Sequence, residues 1–314
     1  MEDSLIEKEK RAIKHLKFLE ESAGEKGFYV CYSGGKDSDA VRTLCQLAGV
    51  KCEYHHNHTT VDAPETVRHV RSIPDIQIHF PEMSMWQLIV KKGFPPTRLT
   101  RYCCEYLKER GGEDRFKVTG VRKAESPRRA EQSDLIKIVG GKTETVRQIA
   151  DELGCVYTIT KNGGIVMRRE DSASHQLIET CYRLHIGGNM SLNPIVEWTD
   201  SDVWDFLRYY GVEVNPLYEK GCKRIGCIGC PLAGGKQMKR EFERYPKYRA
   251  NYVKAFDRMI EHQKRRGKFK DGSWQTGEDV MRWWCGDDPR QITLNDYELI
   301  ELSMVMAEEQ EELV

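Results

Sequence analysis

The stretch "GFYVCYSGGKDSDAVRTLCQLAG", residues 27–49, decides the fold. Phe28, Tyr29 and Val30 read as a buried strand within residues 27–33. Val41, Leu44, Cys45 and Ala48 recur at i, i+3, i+4 and i+7, the apolar stripe of a helix over 38–48 packed on a sheet. Between them lie two glycines, a lysine, an aspartate and two serines. Such a loop directs glycine amides and a helix N-terminus at an anion. Gly34 and Gly35 let the backbone approach a ligand closely, Lys36 neutralises phosphate charge, and Ser33 and Ser38 offer hydroxyls. The glycine-to-lysine spacing differs from the G-x-x-x-x-G-K-[ST] loop.

Working outward, "VKCEYHHNH" (50–58) alternates as a second strand, "PETVRHVRSI" (64–73) is a helix with an early proline, and "IQIHF" (76–80) is a third strand. "MSMWQLIVKKG" (83–93) is a helix stopped by Gly93, and "RFKVTGVR" (115–122) is a strand leading into "KAESPRRAE". Strand–helix alternation predicts an α/β fold, a Rossmann-like parallel sheet with helices on both faces. Ligands of such sheets bind beyond the strands' carboxyl ends, so the 33–38, 57–62 and 120–129 loops are expected to line one crevice. Residues 134–191 read as a candidate insertion, with a helix at "ETVRQIADELG" and a hairpin around Asn162-Gly163-Gly164. Next, "LNPIVEWTDSDVWDFLRYYG" (192–211) reads as an extended segment, a Thr199 cap and a helix with Val203, Phe206 and Leu207 inward. The expected organisation is an N-terminal helix (1–24), a nucleotide-binding domain (25–235) and a helical, basic C-terminal region (236–314).

The 314 residues carry 49 basic and 49 acidic side chains, a balance unlike that of a general nucleic-acid coat. No apolar run approaches the ~20 residues of a membrane span, and the charged, amphipathic first helix lacks a signal peptide's apolar core. A cytoplasmic protein is expected. The tract 236–270 is locally basic, with 13 Lys/Arg against 4 Asp/Glu. Phe242, Tyr245, Tyr248, Tyr252 and Phe256 are interleaved with those charges, as for nucleic-acid contact or for a solvated face with its aromatics in the core. The closing "MAEEQEELV" reads as a solvated helix end.

Eleven cysteines need an explanation in a reducing compartment. Cys31, Cys45, Cys52, Cys155 and Cys181 lie in apolar or periodic stretches, as buried small hydrophobes do. Cys103, Cys104, Cys222, Cys227 and Cys230 lie in polar, Gly-rich surroundings and look like ligands, their glycines freeing amides for metal-bound sulfur. A structural zinc would take four of them and leave one over; an iron–sulfur cluster would take Cys103, Cys104, Cys227 and Cys230, the adjacent pair reaching different irons. Cys222 would substitute for one ligand or remain a reactive thiol. His55, His56 and His58 read as a polar strand end.

"SGGKDS", "TTVDAPETVRHV", "RYCCEYLKE", "GVRKAESPRRA", "NPIVEWTDSDVWDFL", "NPLYEKG" and "RIGCIGCP" occur in this order. The chain thereby resembles the phosphoadenosine phosphosulfate (PAPS) reductase family, within the PP-loop ATP pyrophosphatase superfamily, over roughly residues 25–235. The resemblance implies an adenine nucleotide alpha hydrolase-like fold, phosphate binding by Ser33, Gly34, Gly35, Lys36, Asp37 and Ser38, and further nucleotide contacts from Thr60 and Gly120. It implies anion contacts from Arg122, Arg128 and Arg129, and a 4Fe-4S cluster on Cys103, Cys104, Cys227 and Cys230, with Zn2+ as the alternative occupant. The intact SGGKDS loop is the form found in ATP-cleaving members, whereas sulfonucleotide reductases usually alter it. Those reductases also end in a Glu-Cys-Gly-Leu/Ile-His tail, whereas the late cysteine here, Cys285, lies in "RWWCGDDP" and reads as packed beside Trp283 and Trp284.

The implied activity is therefore an ATP-dependent sulfur transfer, ATP going to AMP and pyrophosphate. Lys36 would stabilise charge on the β/γ-phosphates, Asp37 would hold Mg2+ or simply cap the helix, and the cluster or Cys222 would deliver sulfur. A tRNA or DNA acceptor on the 236–270 tract and a sulfur donor are the expected partners. The alternatives are an adenylyl sulfate (APS) or PAPS reductase drawing on a thioredoxin-like reductant, and a non-catalytic nucleotide-binding protein with structural zinc.

Overall fold

The computed structural model describes residues 2–140, 142–186, 188–268 and 274–287, and it divides into two compact units. The acidic stretch 306–314 lies outside the described residues. Each unit is assembled from discontinuous pieces of chain, the first from residues 1–57, 64–79 and 111–225, the second from 58–63, 80–110 and 226–314.

The first unit holds an eight-stranded sheet: β1 (Phe28–Cys31), β2 (Cys52–Asn57), β3 (Ile76–His79), β4 (Lys117–Val118), β5 (Ile136–Val139), β6 (Tyr157–Ile159), β7 (Ile165–Met167) and β8 (Asn189–Leu192). Their spatial order is β3-β2-β1-β4-β8-β5-β7-β6. Pairing from β3 through to β8 is parallel, with Val30 of β1 in register with both Tyr54 of β2 and Val118 of β4. The chain's order reverses at β1, since β2 and β3 continue on one side and β4 lies on the other. The loops after β1 and β4 therefore flank the point where such sheets open a crevice.

The remaining pairings, β8 with β5, β5 with β7 and β7 with β6, are antiparallel. The sheet is thus mixed, although its parallel part dominates. The departure comes from the stretch read as an insertion: a short turn, with Gly163 in the left-handed region at φ +79°, can only reverse the chain.

The stripe read in the sequence is the one the sheet buries. Val41, Leu44, Cys45 and Ala48 of helix Lys36–Ala48 lie in the core with Phe28, Val30, Phe116 and Val118. Each fully buried aliphatic side chain of this kind contributes about 1.5–3 kcal/mol of transfer free energy. Leu5, Ala12 and Leu16 of helix Asp3–Phe18 join the same core, and that helix packs on Lys36–Ala48. Thr199 caps helix Asp200–Tyr209, its hydroxyl accepting from the Asp202 amide, and Val203, Phe206 and Leu207 point inward.

The second unit is helical, with helices Met85–Lys92, Tyr102–Leu107, Gly235–Arg244, Pro246–Arg265 and Gly277–Trp284. Phe242, Tyr252 and Phe256 of the basic tract are buried, Tyr252 edge-on to Trp86 and Phe256 edge-on to Trp284. The core takes these aromatics, leaving the basic side chains to cover the helices' outer face.

Candidate functional site

The loop after β1 is held by residues far away in sequence. Gly34 sits at φ +77°, and a Cβ there would come within 2.9 Å of Val70 Cγ2, so the turn requires glycine. Its carbonyl accepts from Asn215 Nδ2 at 3.1 Å; the same amide group donates to Thr66 Oγ1 at 3.0 Å, and Asn215 is wholly buried. Ser38 Oγ donates to the Gly35 carbonyl at 2.7 Å and receives Ser33 Oγ at 3.2 Å. Gly35 is the N-cap of a helix that starts at Lys36, two residues earlier than the sequence pattern indicates. Asp37 therefore lies within the first turn, where its charge suits the helix dipole, and it is not the cap.

The charged groups of the loop form a closed network. Lys36, 5% exposed, sets its ammonium 3.1 Å from Asp37 Oδ2 and 3.3 Å from Asp200 Oδ1. Arg122, 2% exposed, donates from Nε to Asp37 Oδ1 at 2.7 Å, from Nη2 to Asp200 Oδ1 at 2.5 Å and from Nη1 to the Trp198 carbonyl at 3.2 Å. Burial opposes charge on this guanidinium, yet the two carboxylates raise its pKa. Burial likewise acts to raise Asp200, and Arg122 and Lys36 overcome it to hold that carboxyl below its usual range. Two cations and two anions alternate, so an entering phosphate exchanges one set of charge-assisted bonds for another.

Gly120, in the loop after β4, sits against the first helical turn: a Cβ would lie 2.9 Å from the Asp37 carbonyl oxygen. Glu125 joins the two ends of the arginine loop, Oε1 accepting from the Arg122 amide at 3.1 Å and from Arg129 Nη1 at 2.9 Å. The Arg128 side chain is outside what is described. Ser33, Gly34, Gly35, Lys36, Asp37, Ser38, Gly120 and Arg122 are thus brought together in the first unit, which also contains half-buried Cys222.

Asn215, Tyr218 and Asp200 were not singled out as site residues. The Tyr218 hydroxyl accepts from the Lys36 amide at 2.9 Å. All three lie in stretches that carry the family resemblance, "NPLYEKG" and "NPIVEWTDSDVWDFL", and that is the available signal.

Thr60 belongs to the second unit. It occupies the left-handed region at φ +66°, a strained setting for a β-branched residue, and its hydroxyl accepts from the Met85 amide at 2.9 Å. The Thr59 amide donates to Asp62 Oδ2 at 2.7 Å, which stiffens this turn.

The second unit also gathers the thiols. Cys103 and Cys104 lie on helix Tyr102–Leu107, and Cys227 bridges backbone-to-backbone with Asp62 and directs its thiol at Thr59 Oγ1, 3.4 Å away. Gly229, between Cys227 and Cys230, has φ +73°, and a Cβ there would meet Phe242 Cζ at 2.7 Å. Its amide donates to Glu241 Oε2 at 2.8 Å, so this glycine does not free an amide for sulfur as the sequence reading had it.

The four sulfurs act on one another: adjacent Cys104 and then burial push the Cys103 thiol up, with charge on Cys227 and Cys230 adding. The adjacent Cys103 lowers the Cys104 thiol to about 6, with Lys108 and Arg101 assisting against burial. Cys227 is pushed up by burial, against the pull of Lys108. Among the described residues no three His, Cys, Asp or Glu side chains stand as a metal site in their present arrangement. In kind and number, four thiols beside Lys108, two buried and two half-buried, fit a thiolate-held group.

His55 stacks on Tyr29 with ring centroids 3.7 Å apart, and its Nδ1 lies 2.9 Å from His79 Nε2. Cys285 is buried and pushed up to about 11 by burial, with Asp287 adding. No helix among the described residues is long and apolar enough to cross a membrane.

Comparison with known proteins places these features. An uncharacterized protein of Methanocaldococcus jannaschii is 23% identical over 82% of this chain and 54% of its own length. An adenosine 5'-phosphosulfate reductase of Burkholderia cepacia is 36% identical over 21% of this chain and 26% of its own. The chain thus spans about half or less of the length of these curated relatives. Among solved structures, the PAPS reductase of Candida auris, a phosphate complex, aligns over 73% of this chain and 97% of its own at 14% identity and a TM-score of 0.41. The model of the phosphoadenosine phosphosulfate reductase domain matches residues 27–233, from the first strand past the last paired cysteine, and the chain belongs to that family.

Proposed function

We propose that this member of the family is a sulfur transferase that cleaves ATP to AMP and pyrophosphate. The observation that carries the reading is the complete SGGKDS loop, with its lysine buried beside Asp37, Asp200 and Arg122. A pyrophosphate leaving group needs concentrated, dehydrated positive charge, and a buried ammonium supplies it more strongly than an exposed one. In this reading Lys36 meets the β/γ-phosphates, the Gly34–Ser38 turn fits the chain to them, and Arg129 with Arg128 extends the cation set. Arg122 positions Asp37, whose carboxylate takes Mg2+ when phosphate draws the lysine away.

Cys103, Cys104, Cys227 and Cys230 would hold a 4Fe-4S cluster, which supplies a place to bind sulfide or to pass electrons; zinc is the alternative occupant. Cys222 is the remaining candidate for carrying sulfur. A nucleic-acid acceptor, tRNA or DNA, would meet the tract 236–270 through its lysines and arginines. Phe242, Tyr252 and Phe256 are buried, so charge carries most of the contact, with half-buried Tyr245 and Tyr248 the tract's remaining rings. Eleven cysteines with no disulfide among the described residues are in keeping with a reducing, cytoplasmic setting.

The relative named as an adenosine 5'-phosphosulfate reductase favours a second reading, reduction of a sulfonucleotide with an external thiol donor. The buried, raised Cys285 thiol is poorly suited to serve as its nucleophile. Anaerobically purified protein, assayed with ATP and Mg2+ or with adenylyl sulfate and a dithiol, separates the two. Pyrophosphate release lost by a hundredfold or more in Lys36→Ala is expected; sulfite release without pyrophosphate would refute the ATP reading. Iron and zinc analysis of the same protein and of Cys227→Ala tests the cluster, with about four irons per chain expected and lost in the variant.

A further inference from the structure

We propose that Phe94 and Trp274 form a stacking platform for an unpaired nucleic-acid strand, at the corner of the second unit where two basic helix ends meet. The inference rests on the reading that the sulfur acceptor is a nucleic acid, and it names the rings that would hold the acceptor's bases.

Helices Met85–Lys92 and Pro246–Arg265 pack together, and the first stops at Gly93. The Gly93 carbonyl accepts from Gln263 Nε2 at 2.6 Å, so the last turn of the second helix adjoins the end of the first. The next carbonyls are held as well: Phe94 accepts from the Tyr102 hydroxyl, and Pro96 from Trp284 Nε1 at 2.6 Å. This fixed backbone presents Phe94 to two tryptophans. Buried Trp283 lies 5.6 Å from Phe94 and 5.0 Å from Trp274, centroid to centroid, and Phe94 and Trp274 stand 5.9 Å apart. Phe94 and Trp274 are only half-buried, so each keeps part of its ring at the surface while Trp283 backs it. Rings ordered in advance lose little freedom on binding. Every nucleobase has a π-face that such rings accept, whatever its sequence.

The charge at this corner suits the phosphates of the same strand. Lys91 and Lys92 end the first helix, Arg265 and Arg266 the second, and all four are exposed. Part of that charge has a local use, because each helix C-terminus carries about half a negative charge and Glu261 sits 3.3 Å from Arg265. Four cations against that demand leave a positive surplus of about two. A partner docking through apolar contact alone would gain nothing from it. Two partly covered rings among cations match a strand that alternates base and phosphate. The basic tract keeps Phe242, Tyr252 and Phe256 in the core, so Phe94 and Trp274 supply stacking that those rings cannot.

The test is fluorescence anisotropy of full-length protein without ATP, using labelled oligouridylate and oligothymidylate, with heparin as a polyanion that lacks bases. Binding of at least one oligonucleotide is expected. Trp274→Leu should weaken it roughly 5- to 150-fold, the worth of one stacked base, with its salt dependence unchanged. Trp274→Phe keeps a ring and should keep most of the affinity. Arg266→Ala should instead lower the slope of log affinity against log salt by about 0.7, and it should weaken heparin as well, which Trp274→Leu should not. Quenching of tryptophan fluorescence by the oligonucleotide, smaller in Trp274→Phe than in the wild type, gives a second readout should the leucine variant fail to fold. Binding to a folded Trp274→Leu as tight as to the wild type, or equal quenching in Trp274→Phe, would overturn the platform and leave the acceptor reading standing. A wild type that binds neither oligonucleotide would overturn both, while pyrophosphate release, measured apart, still decides ATP cleavage.

Discussion

Replacing Gly120 by alanine probes whether the loop after β4 and the first turn of helix Lys36–Ala48 form one rigid cradle. The added Cβ would stand 2.9 Å from the Asp37 carbonyl oxygen, 3.0 Å from its carbonyl carbon and 3.1 Å from its Cβ. Relief requires a shift of roughly half an ångström to reach ordinary contact, and it falls on backbone atoms that cannot rotate away as a side-chain tip would. Overpacking of this kind costs ~1–3 kcal/mol. Gly120 does not occupy the left-handed region, so alanine also narrows the unfolded ensemble and returns about 0.4–1 kcal/mol. The net expectation is a loss of about 1–2 kcal/mol.

The displaced turn carries Asp37, and with it the Lys36 and Arg122 contacts, so nucleotide affinity should fall along with stability. Thermal unfolding of the purified variant gives the first quantity, and calorimetric titration with ATP and Mg2+ gives the second. Gly226→Ala, where a Cβ meets nothing within 4 Å, is the neutral comparison. A Gly120→Ala protein that melts and binds like the wild type would show that the two loops are not in rigid contact, and the cradle argument would fall.

Asn215→Ala removes the donor to the Gly34 carbonyl and the acceptor of the Leu217 amide inside a fully buried pocket; a loss of ~2–4 kcal/mol is expected by denaturant titration. Phe256→Ala hollows the aromatic core of the second unit and should cost ~3–5 kcal/mol, measured by denaturant titration. His55 is held at about 4 by burial and then by the His79 charge, below the ~6.5 of an unfolded chain. The unfolded state therefore binds more protons between those values, and stability present above pH 6.5 declines as pH falls towards 4, by at most ~3 kcal/mol. The difference in melting temperature between pH 7.5 and pH 5 should shrink in His55→Gln; an unchanged difference would place the acid sensitivity elsewhere. Tyr218→Phe leaves the Lys36 amide without its acceptor and should lower stability by ~1 kcal/mol, measured by the same melts.

The strands and helices legible in the sequence were those with a clean period and a local stop signal. The 41–44–45–48 stripe, the Thr199 cap and the Gly93 stop each depend on residues within a turn or two, and each stands as read. The same locality explains what was missed: a helix start at 38 instead of Lys36, and, beyond the hairpin read around Asn162-Gly163-Gly164, the antiparallel joining of β5 to β8 and of β7 to β5 within one sheet. Strand direction across a sheet depends on which strands become neighbours, and β5 pairs with β8, some fifty residues away, a choice no short window contains.

The identity of the loop, the paired cysteines and the family to which they belong were determined by sequence alone, because glycine, lysine and cysteine at fixed spacing carry their chemistry with them. What the tertiary structure decided is how those groups are engaged. Arg122 reads as an anion-binding arginine, yet it is buried between Asp37 and Asp200. Gly229 reads as a free amide and is bound to Glu241, while Asn215 and Tyr218 reach back some 180 residues to hold the Gly34–Lys36 turn. Hydrogen bonds and ion pairs act over about 3 Å of space irrespective of chain separation. Composition and periodicity therefore reveal which groups are present, and only the folded chain determines which of them meet.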